Sequence, residues 1–368
     1  MLPESRHRLS SHPLTRIRPF RRDDIPAVLA LRSGVEESEH DDARSLAAYF
    51  DELFFQHPWV DDRISSLVCE TGDRIVGFLG VIPRPMTLEG ARLRVAATTH
   101  FSAAPGAGPA VALQLLRTLF QGPQDVSVAD VASWKTRRLW EYFGGVTAYS
   151  SSLTWVRLLR PVRQALSTMA RTGVLAAVGA LAAAPADVLT TRVVRRFHAP
   201  SPPPRTEREA LTDAGLLAYL TGGADRRALR GDYDATSLAW LLAMLQRKRS
   251  YGPLRRSRVL DDRGSLLGWY VAYMKSGANA RVAHIGTRPG AAGAVLEHLF
   301  AEAWRAGCTA VSGRFDARVM EACIERGCLM TGADNWVMLH ARDRELLATV
   351  ARDDGAITRL DGEWWIAF

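Results

Sequence analysis

The sequence predicts an α/β chain in which one order of strands and helices occurs twice. Three observations carry that reading. Two short helical stretches, TRRLWEYFGG (136–145) and VMEACIERGC (319–328), are each stopped by glycine. Two hairpin patterns align without gaps, Val68 and Gly77 against Val259 and Gly268, nine residues apart in each. Gly144 and Gly327 then follow the hairpin glycines at 67 and 59 residues.

Local patterns account for each element of the first half. LTRIRPF alternates as a short strand, and Asp23 or Asp24 can cap the helix that follows, with Ile25, Val28, Leu29 and Leu31 as its apolar stripe. SLAAYFDELFFQHP reads as a second helix ended near Pro58. SSLVCETGDRIVGFLGVIP is a hairpin turning at Thr71, Gly72 and Asp73. LRVAATTHFS is a long strand, followed by a Gly-rich turn and a helix with Pro109 near its start. DVSVADVAS, the helix before Gly144 and the strand YSSSLTWVRLL close the half.

The second half repeats the order from about Asp232, with no clear opening strand. A helix ends near Pro253, and a hairpin follows. ARVAHIGT, a turn and helix, CTAVSGRF, the helix before Gly327 and the strand NWVMLHAR complete it. The expected divisions are 1–160, a helical connector and Pro-rich linker at 161–205, and 206–368. In the tail, Trp364 and Trp365 are too apolar to lie in solvent, so one of them should close the second half's core.

Composition narrows the class of protein. With 368 residues, 47% hydrophobic and 23% charged, the chain suits a globular protein of about two domains. No run of about 20 apolar residues points to a membrane span. The first 20 residues lack the apolar core of a secretion signal, and Cys69, Cys308, Cys323 and Cys328 fit no zinc spacing. Buried free thiols in a reducing cytoplasm are the expectation, and no metal is expected. The net charge of +8 is concentrated between Arg157 and Arg205, where eight arginines face one acid, Asp187. The segment 161–198 reads either as an Ala-rich arm packed on the protein or as a helix in peripheral contact with an anionic membrane, and the packed arm is preferred. Nucleic acid is not an expected partner, because the basic stretch has little interleaved aromatic or Gly-rich character.

The order of elements resembles the GNAT acetyltransferases. IRPFRRDDIPAVLAL looks like that family's opening strand and helix, DRIVGFLGV like its central hairpin strand, and RRLWEYFGG like its late helix. The resemblance covers about 15–160 and, more faintly, 232–342. It implies two tandem GNAT-like domains, each a mixed, mostly antiparallel sheet that splays after its central strand and is flanked by helices. Residues 95–101 and 282–286 should hold equivalent places. The glycine in each late helix would let the chain turn through a left-handed conformation into the closing strand.

What the resemblance implies about chemistry rests on a helix N-terminus. In that family, backbone N–H groups at the strand-to-helix turn face the pyrophosphate of coenzyme A. The corresponding residues here are Phe101, Ser102, Gly106, Gly108 and Ala110 in the first half, and Arg288 and Gly293 in the second. Both copies depart from the family pattern. The first has Pro105, Gly106 and Gly108 but no arginine. The second keeps Arg288, with Ala291, Gly293 and Leu296 at the family spacing, but has Pro289 where the first glycine belongs. The family's general acid is a tyrosine on the late helix, where Trp140 and Cys323 stand here. Tyr142 is the nearest hydroxyl, on another helix face. His100 and Asp130, with Asp125 beside it, are base candidates by position. Cys323 reads first as a small buried hydrophobe and second as a thiolate nucleophile.

The implied activity is an N-acyltransferase that moves an acetyl or other acyl group from a coenzyme A thioester to an amine on a small molecule or carrier. The alternatives are an aminoacyl-tRNA-dependent transferase of related tandem fold, and a non-catalytic protein that binds an acyl ligand or a partner. The first half is the expected site of catalysis.

Overall fold

Strand pairing, more than local pattern, organises this chain. The computed structural model describes residues 15–33, 43–169, 199–223, 228–332, 335–352 and 357–366. Residues 170–198, with the apolar part of the connector, lie outside the described residues; Pro161–Met169 is a helix, as expected. The described strands form two mixed sheets flanked by helices. Contacts divide the chain into two units, Met1–Pro83 with Thr98–Pro123, and Arg84–Ala97 with Gln124–Phe368.

In the first unit, β1 (Thr15–Pro19) runs antiparallel to β2 (Leu67–Thr71), which pairs antiparallel with β3 (Arg74–Leu88). Helices α1 (Ile25–Ser33), α2 (Ala43–Phe55) and α3 (Gly108–Phe120) accompany them. Neither Asp23 nor Asp24 is the N-cap expected there: Arg21 holds that position, and Asp24, three residues on, reaches back to accept the Arg21 amide at 2.8 Å and the Arg18 guanidinium. Arg18 also bonds Glu70, so the opening strand, the first helical turn and the hairpin share one guanidinium. Phe20, Phe54 and Phe78 pack with ring centroids 4.9–5.7 Å apart.

Gly77 opposes Cys69, followed by a bulge. In the second unit Gly268 opposes Val259, again followed by a bulge. The gapless alignment of Val68 with Val259 is therefore off by one residue, because the second hairpin has a longer turn. The two glycines themselves are equivalent for a physical reason. A Cβ on Gly77 would lie 2.4 Å from Val111 Cγ1, and one on Gly268 would lie 2.7 Å from Val295 Cγ2. In both copies the glycine admits a valine from the first turn of the next helix.

The second unit contains a whole seven-stranded sheet and an exchange of strands. We number β4 (Ala91–Ala103), β5 (Val126–Ala132), β6 (Val146–Thr147), β7 (Thr154–Leu158), β8 (Thr206–Ala210), β9 (Leu229–Gly231), β10 (Leu254–Asp261), β11 (Leu266–Tyr273), β12 (Asn279–Thr287), β13 (Ala310–Arg314), β14 (Leu329–Thr331) and β15 (Trp336–His340). The seven-stranded order is β14-β7-β13-β12-β11-β10-β8. The first half's expected closing strand, β7, lies antiparallel between β13 and β14 of the second half. The second half's closing strand, β15, lies antiparallel between β5 and β6 of the first. Each repeat thus ends in the other's sheet. An element pattern cannot show this, because an apolar strand pairs equally well with either neighbour.

Two further expectations are settled. The second half does have an opening strand. β8 pairs antiparallel with β10 and leads to the helix Asp213–Thr221. Its sequence, TEREA, has no apolar face and escapes a hydrophobic-pattern search. Gly144 and Gly327 have φ of +83° and +66°, the left-handed turn expected after each late helix.

The tail closes the second unit. Trp365 is fully buried with its ring 5.4 Å from Trp240, and Trp364 stacks on Tyr251 at 5.7 Å. Removing residues 362–368 should cost about 3–5 kcal/mol through loss of that burial and lower the melting temperature; an unchanged Tm would show that the tail bears no load. Gly77→Ala should cost about 1–3 kcal/mol by overpacking Val111, seen as a lower urea midpoint. An unaltered midpoint would show that the helix does not press on this strand.

Candidate active site

The site candidates sit on a segment that occurs twice. β4 runs parallel to β5 through Val95, Ala96 and Ala97. β12 runs parallel to β13 through Asn279, Ala280 and Arg281. In the second unit β12 and β13 continue past that ladder without pairing. The two ladders make Ala97 and Arg281 equivalent, so the expected match of 95–101 to 282–286 shifts. Carried forward without gaps, this register puts His100 with His284 and Gly106 with Gly290. Both glycines have left-handed φ, +83° and +76°. It also puts Gly108 with Ala292, the first residues of their helices, and Val111 with Val295. The sequence carries the trace as PGAGPAV (105–111) and PGAAGAV (289–295). That repeat was the signal available, and matching Arg288 to the family motif concealed it.

His100 is held in an unusual way. It has φ of +51°, a left-handed conformation that a non-glycine residue adopts only when its surroundings enforce it. Its ring stacks on Phe50 at 5.2 Å and meets the edge of Phe54 at 6.1 Å. Thr99 Oγ1 lies 3.2 Å from Nδ1, while Nε2 is buried with no hydrogen-bond partner among the described residues. Burial, aided by the positive charge of Arg32, lowers its pKa well below the ordinary value of 6.5. The imidazole is therefore neutral at pH 7. In the tautomer whose Nδ1–H donates to Thr99 Oγ1, Nε2 presents a lone pair; in the other, Thr99 donates and Nε2 carries the hydrogen.

Beyond His100 the strand runs on to Ala103 through half-buried Phe101 and Ser102, and the Ser102 Oγ donates to the His100 carbonyl at 3.3 Å. The turn is pinned by Ala104 N–H to the Val76 carbonyl and Ala107 N–H to the Ala104 carbonyl. Helix α3 then starts at Gly108 with Pro109 in its first turn. The amides of Gly108, Ala110 and Val111 are among those a helix start leaves without intrahelical partners. A Cβ on Gly106 or Gly108 would meet nothing within 4 Å, so this helix end is open.

A cavity of about 280 Å³ lies in the same unit, lined by Phe20, Phe54, Phe55, Val60, Asp61 and Asp62 among others. Phe54 is its common wall with His100. The Arg63 guanidinium bonds Asp61, while Asp62 is exposed.

The second copy is closed. Arg359 Nη1 donates to the Val282 carbonyl at 3.0 Å, and Ile357, Thr358 and Arg359 line the gap between β12 and β13 together with Trp155 and His284. About 30 Å³ remains there, roughly the volume of one water. At the helix start, a Cβ on Gly293 would lie 2.3 Å from Arg326 Nη2, and Arg326 pairs with Glu297 at 3.0 Å. Arg288 precedes the turn, where its amide bonds the Leu267 carbonyl.

The other candidates have structural surroundings. Asp130 is fully buried. Its carboxylate accepts from Arg314 at 3.0 Å and from the Glu363 amide at 2.6 Å. Tyr142 is 76% exposed beside Phe143, whereas Trp140 is core. Asp125 pairs with Arg94. A hydrogen bond with Cys328, together with burial, pushes the Cys323 thiol up, against a thiolate role. Cys69, Cys308 and Cys323 are buried free thiols. Among the described residues there is no cluster of His, Cys, Asp and Glu that could hold a metal, and no helix is long and apolar enough to cross a membrane.

This fold recurs in solved structures. A probable N-acyltransferase from Enterococcus faecalis matches with a TM-score of 0.57 and 11% identity, over 92% of this chain and 75% of that one. A GCN5-related N-acetyltransferase from Kribbella flavida matches at 0.55 and 13%, over 93% and 74%. The Saccharomyces cerevisiae N-myristoyltransferase, solved with myristoyl-CoA and inhibitors, matches at 0.52 and 10%, over 92% and 84%.

The fold is GNAT-like.

No family model matches the sequence. No curated protein matches it either. At these identities the likeness is one of fold. Within the GNAT-like fold both turn glycines, Gly106 and Gly290, are open, and the second copy differs in having Arg326 against Gly293 in the first turn of its helix and Arg359 in its strand gap.

The buried neutral histidine leads to a pH dependence. The unfolded chain protonates His100 near 6.5, and the folded chain does so only at lower pH. The stability tied to neutral His100 is complete above 6.5 and is lost as pH falls toward the folded value. From about pH 7 to about pH 5 the wild type should lose more stability than His100→Asn. Parallel pH–stability curves for the two proteins would contradict the burial of this imidazole.

Proposed function

We propose that the chain is an acyltransferase that moves an acetyl or longer acyl group from a coenzyme A thioester to an amine, working in its first copy of the turn. The observation carrying this reading is the contrast between the copies: an open helix start beside a neutral, buried His100 in one, and a gap closed by Arg359 in the other. The fold neighbours support acyl transfer at a coarse level, and the bound myristoyl-CoA of the yeast enzyme keeps acyl chains longer than acetyl in view.

In this reading the amides of Gly106, Gly108 and Ala110 and the helix dipole hold the pyrophosphate. Phe101 and Ser102 border the path of the thioester. The acceptor amine enters the cavity beside Phe54, drawn as an ammonium by Asp62 and Asp61. His100 Nε2 takes one proton of the ammonium, the freed amine nitrogen attacks the carbonyl carbon, the carbon–sulfur bond breaks, and the nitrogen sheds its second proton to solvent. The thiolate leaves and takes its proton from solvent. A cavity of this size suits a small-molecule amine or the tip of a carrier. The second copy, with Arg288 and Gly293, serves as the structural partner. The free cysteines fit a cytoplasmic protein.

Calorimetric titration with acetyl-CoA tests the assignment. Gly108→Asp places a carboxylate where the pyrophosphate would lie and should cost about 1–3 kcal/mol of binding, whereas Gly293→Asp should leave affinity unchanged. Loss of binding in Gly293→Asp alone would reverse the assignment. Binding by neither the wild type nor either variant would favour the non-catalytic reading. His100→Gln should keep coenzyme A affinity and lower turnover by about 10²–10⁴-fold once an acceptor is in hand; unaltered turnover would remove His100 from the mechanism.

A further inference from the structure

Three cations meet in the second unit without a matching set of anions. Lys248 follows the helix Ala235–Gln246 and is only 9% exposed. Its Nζ makes no hydrogen bond to a described residue and lies 5.0 Å from the ring centre of Tyr251 and 5.1 Å from that of Trp364. The Arg281 guanidinium lies 4.3 Å over Tyr251, and Arg359, also 9% exposed, lies 4.7 Å over Trp364. Tyr251 and Trp364 stack on each other, so the two rings share Lys248 while Arg281 lies by one and Arg359 by the other. The nearby carboxylate, Asp130, is already engaged by Arg314.

This arrangement is costly as it stands. An ammonium withdrawn from water needs oxygen partners, and cation–π contacts of about 0.5–2 kcal/mol do not replace its hydration. Burial, with repulsion from Arg281 and Arg359 outweighing attraction to Asp130, lowers the Lys248 pKa to about 8. Burial, with repulsion from Arg314 and Arg281, likewise lowers that of Arg359 to about 9. The cluster also has no counterpart in the first copy: the residue equivalent to Arg281 is Ala97. Arg281, Tyr251 and Trp364 are half-buried, so the cluster reaches the surface.

We propose that Lys248, Arg281 and Arg359 form a binding site for a phosphate monoester. Three charges brought from a post-helix turn, a strand and the tail suit a dianion with three acceptor oxygens. The tail that closes the second copy is then also the element that a phosphate ligand would hold in place.

Thermal unfolding of the full chain, titrated with inorganic phosphate against potassium chloride of equal ionic strength, is the test. The wild type should show a saturable rise in Tm with phosphate that chloride does not give. Arg281→Gln should weaken it roughly tenfold or more. Lys248→Met should abolish the phosphate response and, by removing an uncompensated buried charge, raise Tm without phosphate. Coincident phosphate and chloride curves would overturn the proposal, as would a Lys248→Met protein that is less stable yet still responds to phosphate. Glycerol 3-phosphate and vesicles of phosphatidylcholine with phosphatidic acid then separate the sources: a response to the first identifies a soluble ligand, binding of the second alone identifies a lipid headgroup, and binding of neither overturns the site.

Discussion

The exchange of closing strands is the constraint on which the second unit depends. β15 fills the place beside β5 that the first repeat's own closing strand would have taken, and β7 does the same beside β13. A repeat without its partner's strand would expose unpaired backbone along β5 or β13. The Asp130–Arg314 pair joins β5 to β13 across the same exchange, with the Asp130 carboxylate wholly buried. Such a pair adds little net stability over an apolar substitute, yet removing one partner leaves a buried charge uncompensated. It therefore favours this particular pairing of strands over alternatives.

The chain holds one strand-to-helix device twice, in different surroundings. Both retain the glycine that admits a valine and the left-handed glycine in the turn. Both retain a histidine three residues past the parallel ladder. In the first copy that histidine is strained, stacked on Phe50 and next to an open helix start. In the second it faces a gap filled by the tail, with a guanidinium on the carbonyl of Val282. A closed copy can keep the fold's geometry at no cost to ligand binding elsewhere, which frees its apex to carry Arg281 in place of a small residue.

Much of the fold was legible in the sequence because local physics sets it. Apolar periodicity marked α1, α2 and the hairpins, and glycine at 144 and 327 marked the turns after the late helices, since a left-handed φ is cheap for that residue alone. The burial of the terminal tryptophans followed from single residues, whereas the acidic residue at the first helix proved to be an N3 partner of Arg21 and not the cap. β8 was not legible, because a charged edge strand has no apolar face to betray it. Of the site, His100 and the turn at 105–109 could be picked out by position, but the equivalence of the turns was obscured by reading Arg288 as a motif residue.

Sequence alone determined the element order, the repeat and the residues available at each turn, because these depend on neighbours a few positions apart. Tertiary structure alone decided which sheet each closing strand joined, which copy stayed open, and that Asp130 spends its charge on Arg314. It also decided that Lys248, Arg281 and Arg359 meet around Tyr251 and Trp364. Those outcomes turn on contacts between residues far apart in the chain. Their burial and charge are set by what packs against them, and no local pattern encodes that.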